Sequence, residues 1–578
     1  MHTFILGLVI LFAGGALYGY FCERVFSPDD RTTPAYSKQD GVDFVPMSKW
    51  KNTLINLLNI AGTGPILGPV QGILFGPIAF LTIPIGCVIG GAMHDYFCGM
   101  ISVREGGIQM PGIIEQTTNA VIHRIYTVFV CIVLFLIGVV FIYTPGDIAA
   151  TQLFGFGGTA GEASTWIIYS VIFAYYMIAA LFPIDRIIGK IYPMFGAVLL
   201  LSAVGVFIML FTGHYSLIDL SDDSNPYFPL LFMALSIIII AGYHRLAEVI
   251  RLRGRSGTVY FIVGVVMILA SVGVFVSLLA GRYSLVNMWD SWDLNGFDFG
   301  EYFRSQNFIP SFFVTVACGI LSGFHSTQIT LVTRTLESEK EGRLTFYNTM
   351  IAEGFIAMVW AAGTMAMIGV GADASGISVK MTDAGWAYFA QVNGSIQEVS
   401  ATSVVGVVCR NMLGPVGGPI AIVGVILLPV TSGDTALRSL RLILADTLHI
   451  RQDDAGRRVM LALPVFALAY AVLIWAKNDP NGFNTIWRYF GWSNQTLAVF
   501  ALAAILIWLM RHDRKKYLWM PLIPLAFYAF ITCSYLMNAK IGFSLPYGVS
   551  LGIGAVFAAA VSAGAIYLGS DRYSEKNR

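Results

Sequence analysis

Apolar residues recur along this chain in continuous runs of about 20 residues, and charged residues gather in the short segments between them. A helical run of that length spans about 30 Å, which matches the hydrocarbon thickness of a bilayer. The pattern therefore predicts an all-α polytopic membrane protein with about fifteen transmembrane helices. The predicted spans are 2–21, 54–75, 77–103, 125–144, 165–183, 191–212, 229–247, 259–280, 307–333, 347–371, 416–437, 459–476, 489–510, 517–537 and 545–568.

Composition supports a membrane location. Hydrophobic residues make up 56% of the chain and charged residues 12%, with a mean hydropathy of +0.71, whereas about a quarter of the residues of soluble domains are charged. A transmembrane β-barrel would show weak alternation in segments of about ten residues instead. A formal net charge of +1 gives no reason to expect a nucleic-acid partner. The seven cysteines show neither CxxC nor His/Cys metal spacing, so no metal site is expected.

Lys and Arg alternate between the loops and indicate an orientation. They are concentrated in loops such as 22–53, 245–258 and 438–458 and are absent from 145–164 and 213–228. Because cytoplasmic loops carry the basic excess, we expect the N-terminus outside and the C-terminus in the cytoplasm. No long polar linker divides the chain, so residues 1–578 are expected to form a single membrane domain.

Three segments carry further indications of their location. The apolar run 2–21 lacks the basic start and the small-residue cleavage pattern of a signal peptide, so we expect a retained helix. The segment 372–415 is too polar to span twice and is expected to include a short surface or re-entrant helix. The loop 288–303 is acidic and aromatic, as expected at a membrane interface.

The stretch IAGTGPILGP, residues 60–69, places glycines and prolines inside an apolar segment. Backbone groups freed by these residues cannot face lipid, since an unsatisfied group costs several kcal/mol there. We expect a broken helix whose free N–H and carbonyl groups, with the hydroxyl of Thr63, bind a small solute near mid-membrane. The alternative is that the glycines serve close helix packing and the prolines only kink the helix.

Ionisable residues occur deep inside the predicted spans. Placed by their distance from basic loop residues, His94, Asp95, His325 and Glu353 lie near the midplane, and Asp434 lies closer to the cytoplasmic surface. Such residues usually line a cavity, pair or stay protonated, because a charge at the bilayer centre is costly. They are candidates for carrying a proton, since histidine titrates near neutral pH. The alternative is neutral groups that hydrogen-bond between helices. For Asn494 and Gln495, the sequence supports two roles equally: lining a transport pathway or joining helices by hydrogen bonds.

Several of these stretches resemble the carbon starvation protein family, CstA, and the related bacterial pyruvate transporters. The resemblance runs from about residue 40 to the end of the chain, with the helix 2–21 as an extra element. The matching stretches are DGVDFVP (40–46), IAGTGPILGP (60–69), GGAMHDYFCGMISVREGG (90–107), FFVTVACGILSGFH (312–325) and FNTIWRYFGWSNQTLA (483–498).

The resemblance implies a secondary transporter of the bacterial cytoplasmic membrane, with proton-coupled pyruvate uptake in some members and peptide uptake in others. It also implies a relation to the amino acid–polyamine–organocation superfamily, with its inverted repeat. The expected substrate-binding residues are Gly62, Thr63, Gly64, Pro65, His325 and Ser326. The expected proton- or ion-coupling residues are His94, Asp95, Glu353 and Asp434.

The chain departs from the family at two places. The paired histidines that the family carries just before IAG are replaced by Leu57-Leu58-Asn59, and the SSGTTPK-like stretch after GFH is replaced by residues 327–333. A second repeat is expected to open at 307–333, where SGFHSTQ resembles another polar interruption; 229–247 is the alternative start.

The leading expectation is uptake of a small organic acid such as pyruvate by proton symport with alternating access. Uptake of amino acids or short peptides is the alternative, and an intramembrane enzyme or a channel is a weaker one. The expected partners are the lipid bilayer and a small-molecule substrate, with no cofactor. Na⁺ remains open as the coupling ion, and the sequence does not indicate an oligomeric state.

Overall fold

Helices make up most of the part of the chain that the computed structural model describes. The described residues are 2–570 except 42, 77, 182–183, 211–307, 369–374, 383–384, 393–394, 451–454 and 480–481. The predicted spans 229–247 and 259–280 and the loop 288–303 therefore lie outside the described residues. Among the residues that are described, nine helices are long and apolar enough to cross a membrane.

The helices are numbered here in chain order. The first group comprises α1 (Thr3–Phe26), α2 (Lys49–Ile60), α3 (Gly64–Gly72), α4 (Ala79–Arg104), α5 (Met110–Thr117), α6 (Ala120–Leu153), α7 (Ala163–Leu181) and α8 (Ile184–Met209). The second comprises α9 (Phe308–Thr315), α10 (Ala317–Ile320), α11 (Gly323–Val332), α12 (Glu339–Ile368), α13 (Ala401–Thr447), α14 (Ala455–Asn478), α15 (Gly482–Arg511), α16 (Trp519–Asn538) and α17 (Tyr547–Gly569).

The nine long helices coincide with nine of the predicted spans, and α7 and α8 lie on two more. The mostly helical membrane fold is therefore confirmed. The full number of about fifteen spans and the inverted repeat stay predictions.

Two predicted spans are interrupted. The span 54–75 consists of α2 and of α3 with the short turn that extends it to Phe75, and these two parts are bent by 49° across a break of three residues. Pro65 stands in the first turn of α3, where the missing N–H of proline needs no partner. The span 307–333 is divided into α9, α10 and α11, with Leu321 extended at φ −159° and ψ 119° between the last two. Both interruptions fall where glycine-rich or polar stretches predicted them.

A small antiparallel sheet occupies much of the segment 372–415. Its strands are β1 (Ile377–Thr382), β2 (Gly385–Val392) and β3 (Ser395–Glu398), in the order β1-β2-β3. The sheet was not predicted, and the fold is not purely α-helical; residues 401–413 of the same segment are helical and end at a kink at Gly414. The physical reason is local: the strands alternate residues as in ISVKMT and are too short for a hydropathy window to separate from a loop.

The sheet contacts the broken span. The hydroxyl of Tyr388, a buried residue of β2, donates a hydrogen bond to the carbonyl of Val70 in α3. That contact places the sheet over the end of the broken helix that lies away from α2. The helix α13 then begins at Ala401 and contains a non-helical residue at Gly414, where φ is 69°.

The N-terminal helix is held by an ion network at the end of the bundle where α1 and α4 both finish. Arg104 binds both carboxylate oxygens of the buried Glu339 at 3.2 Å and donates to the carbonyl of Ser27 at 2.8 Å. Asp29 joins through its backbone N–H, 3.1 Å from Glu339. Hydrogen bonds from Arg31 hold the pKa of the Asp29 carboxyl below its usual range. Because the C-terminal ends of α1 and α4 meet, the two helices run in the same direction, as the loop charges predict.

The glycines of the first break also allow close packing. A side chain at Gly62 would collide with the ring of Phe141 in α6, and one at Gly64 would collide with Cβ of Cys318 in α10. The two interpretations of IAGTGPILGP therefore hold together: the helix is broken, and the broken part is pressed against α6 and α10.

We predict that Gly64→Ala lowers stability, because the added methyl group forces Cys318 or the backbone to move. Overpacking of this kind costs about 1–3 kcal/mol. Gly552→Ala is the matched control, since a side chain there meets no atom within 4 Å and alanine favours the helix. Thermal unfolding in detergent should show a lower midpoint for Gly64→Ala alone; equal midpoints would contradict the packing argument.

Candidate functional site

Polar groups freed at the first break are bound by a serine of another helix. The N–H of Gly62 donates to Oγ of Ser432 in α13 at 3.1 Å, and that hydroxyl donates to the carbonyl of Leu58 at 2.7 Å. Two buried side chains of the break remain without hydrogen-bond partners among the described residues, namely Asn59 and Thr63. The backbone at the break is thus satisfied in part by Ser432.

The second break is held from α15. Oδ1 of Asn494 accepts hydrogen bonds from the N–H of Phe324 at 2.7 Å and from the hydroxyl of Ser322 at 3.1 Å. Gln495 donates to the carbonyl of Phe313 at 2.7 Å. Both amide side chains therefore bind the interrupted segment, which decides between the two roles that the sequence left open. They join helices and replace the hydrogen bonds that the break removes.

Four fully buried ionisable residues form a continuous chain between α4, α11 and α12. Nδ1 of His94 lies 2.8 Å from Oδ1 of Asp95, and Nδ1 of His325 lies 2.9 Å from Oδ2 of the same carboxylate. Nε2 of His325 lies 3.4 Å from Oε2 of Glu353. Asp95 therefore bridges two imidazoles, and His325 bridges two carboxylates.

The chain of four residues also reaches the first break. The imidazole of His325 lies beside the backbone of Ile60, the last residue of α2. The two interruptions, which are far apart in sequence, thus meet at one buried polar centre. Alternating imidazoles and carboxylates can accept and release protons without a large movement, because both imidazoles already share a hydrogen bond with Asp95, and Glu353 lies 3.4 Å from His325.

Two other predicted residues, Ser326 and Asp434, have partners outside the chain of four. Ser326 donates to the carbonyl of Gly323 at 2.7 Å, one turn earlier in α11. Asp434 accepts a hydrogen bond at 2.9 Å from the hydroxyl of Tyr175 in α7. Asp434 stands two residues beyond Ser432, so its backbone lies near the first break. Its carboxylate, however, contacts Tyr175 of α7. The structure brings His94, Asp95, His325 and Glu353 together and pairs Asp434 with a tyrosine.

Ser432 was not recognised in the sequence. The indication is the polar run TSGDT, residues 431–435, inside the apolar helix α13. Such a run in a membrane helix marks a face directed toward other polar groups. Among the described residues, no group of three His, Cys, Asp or Glu side chains is arranged to hold a metal ion.

We predict that Ser432→Ala lowers stability, because the substitution leaves the N–H of Gly62 buried without a partner. An unsatisfied buried group costs about 1–3 kcal/mol. Ser534→Ala is the matched control: Ser534 is equally buried, and its hydroxyl has no partner among the described residues. Thermal unfolding of both variants checks this, and an equal response would show that the hydroxyl of Ser432 does not hold the break.

Comparison with known proteins agrees with this architecture. The chain is 35% identical to an "Uncharacterized membrane protein" of Haemophilus influenzae over 62% of this chain and 89% of that one. It is 26% identical to "Peptide transporter CstA" of Campylobacter jejuni over 91% of this chain and 78% of the relative, and 25% identical to the protein of that name in Escherichia coli over 91% and 80%.

A solved structure shares the fold. The crystal structure of a single-site mutant of the Eremococcus coleocola manganese transporter matches 91% of this chain and 96% of its own, with a TM-score of 0.50 and 11% identity. The family described as "Carbon starvation protein CstA" matches residues 1–535 and so includes the N-terminal helix α1. This multi-pass membrane protein therefore belongs to the carbon starvation protein CstA family.

Proposed function

We propose that the protein is a secondary active transporter that takes up amino acids or short peptides by proton symport. The observation that carries the proposal is the meeting of two broken helices at the buried chain His94–Asp95–His325–Glu353. Broken helices near the midplane offer free backbone dipoles to a solute, and ionisable residues beside them can link solute binding to a proton.

Substrate binding is assigned to the first turns of α3 and α11. The segment Gly62–Pro65 precedes and opens α3, and Ser322 and Gly323 open α11. A substrate carboxylate would be attracted to these helix N-termini, where N–H groups and the positive dipole end favour negative charge. Thr63, Ser326 and His325 would supply hydroxyl and imidazole groups to the same substrate.

Coupling is assigned to the chain of four residues. A proton held on His325 or Glu353 would balance the charge of a bound carboxylate, so substrate and proton would bind together. Asp434 remains a further candidate through its position near the first break. Na⁺ is the other candidate ion, since the carbonyls at the end of α2 could coordinate it.

Alternating access would follow from rocking of one repeat against the other, with the second repeat opening at α9–α11. In the bacterial cytoplasmic membrane, the loop charges favour the N-terminus outside and the C-terminus in the cytoplasm. Membership in the CstA family supports a transporter over an intramembrane enzyme or a channel.

The substrate class rests on the relatives. Those of Campylobacter jejuni and Escherichia coli carry the name "Peptide transporter CstA", which supports the peptide alternative over pyruvate. Pyruvate is the second candidate, because its carboxylate would meet the same helix N-termini. The two are separated by which compound drives uptake and which competes for it.

We predict that Glu353→Gln abolishes proton-driven accumulation of labelled alanyl-alanine in proteoliposomes but preserves exchange of labelled for unlabelled substrate. The amide keeps the shape of the carboxyl group and cannot release a proton, so binding and rocking continue without coupling. Glu115→Gln is the control, since Glu115 is an exposed carboxylate in α5 and should behave as the wild type.

Uptake by the wild-type protein distinguishes between the two substrate candidates. Accumulation of alanyl-alanine that depends on an inward proton gradient supports the proposal. Accumulation of pyruvate that the dipeptide does not inhibit would identify pyruvate as the substrate instead. No gradient-dependent accumulation of either compound, in protein that unfolds cooperatively, overturns proton-coupled uptake of these substrates.

A further inference from the structure

Three asparagines line one face of α2, and they differ in how they are bound. Asn52, Asn56 and Asn59 follow at intervals of four and three residues, which places them on one side of a helix. Asn52 donates to the carbonyls of Met47 and Thr335 at 2.9 and 2.8 Å and accepts from the hydroxyl of Thr335 at 2.7 Å. Both polar atoms of the Asn52 side chain are therefore hydrogen-bonded within the protein.

The second asparagine is also bound by the protein. Asn56 donates to the carbonyl of Thr345 at 2.7 Å and to the hydroxyl of Thr349 at 2.9 Å, and only its own oxygen has no partner among the described residues. Asn59 contrasts with both, because neither Nδ2 nor Oδ1 has a hydrogen-bond partner in the described part of the chain. Its side chain is nevertheless fully buried.

Asn59 lies level with the chain of ionisable residues. Lys49 and Asn348 line one cavity, so α2 and α12 start near the same end of the bundle and run in the same direction. Asn56 contacts Thr349; three residues further along α2 stands Asn59, and four further along α12 stands Glu353. At 1.5 Å per residue these steps are about 4.5 and 6 Å, so the two side chains reach similar depth. The neighbouring Ile60 lies beside His325.

A buried primary amide with neither group bonded is costly unless a ligand completes it. Its N–H group can donate to one carbonyl or carboxylate oxygen of a peptide, and its carbonyl can accept from one N–H group of the peptide. A small carboxylate such as pyruvate offers acceptors only and would leave Oδ1 of Asn59 unpaired. The hydroxyl of Thr63, buried at the same break and without a partner among the described residues, adds a further free group.

We propose that Asn59 contacts the substrate and selects solutes that offer both a hydrogen-bond donor and an acceptor, as a peptide does. This inference rests on the proposed transport function and assigns to that site a residue that distinguishes amides from simple carboxylates.

The first test separates a ligand-binding role from a structural one. In purified protein without substrate, we expect Asn59→Leu to unfold at the wild-type temperature or above it, because an apolar side chain of similar size removes two unsatisfied groups. Asn52→Leu is the matched control on the same face and should unfold at a lower temperature, since it loses three hydrogen bonds. A drop for Asn59→Leu as large as that for Asn52→Leu would overturn the inference.

The second test measures selectivity. Alanyl-alanine is compared with its ester analogue, in which oxygen replaces the amide N–H and all other groups are kept. The wild type should bind the dipeptide about tenfold more tightly, as the loss of one buried hydrogen bond implies. Asn59→Leu should bind both compounds with similar affinity, measured by competition for uptake in proteoliposomes.

Failure of the inference and failure of the proposed function give different results. Dipeptide uptake by the wild type with no preference over the ester overturns the role of Asn59 and leaves transport intact. The same holds if Asn59→Leu keeps the wild-type preference. Uptake of neither compound by the wild type overturns both.

Discussion

The constraint on which this structure depends is that a backbone inside a membrane must find its hydrogen bonds within the protein. Two spans are interrupted, and polar side chains from distant helices bind backbone groups at each interruption: Ser432 at the first, Asn494 and Gln495 at the second. The broken segments are therefore fixed by α13 and α15. Their position, and with it the position of the buried polar centre, is a property of the whole bundle.

Buried ionisable groups must also find their partners within the protein. An unpaired charge near the bilayer centre is costly, and the chain distributes four ionisable groups so that each contacts at least one other. Asp95 and His325 each contact two partners, which makes these two residues the centre of the arrangement. His325 lies beside the backbone of Ile60, which brings this polar chain to the first break.

Ion pairs also tie the bundle together away from its centre. Arg104 and Glu339 join α4 to the start of α12 beside the end of α1, and Lys477 binds Asp147 at 2.9 Å between α14 and the last turns of α6. Lys477 additionally lies over the ring of Tyr143 at 4.8 Å. A small number of such contacts therefore joins the ends of helices other than those of the two broken spans.

The sequence by itself determined the membrane class, most of the spans, both interruptions and the four ionisable residues, because hydropathy, glycine and proline content and buried charge are local properties of the chain. It did not predict the sheet at 377–398, whose short strands resemble a polar loop. The tertiary structure alone decided that Asp95 joins His94 to His325, that Asp434 faces Tyr175, that Asn494 holds a break and that Asn59 has no hydrogen-bond partner among the described residues. Those facts depend on which helices are neighbours, and residues hundreds of positions apart become neighbours only when the bundle packs.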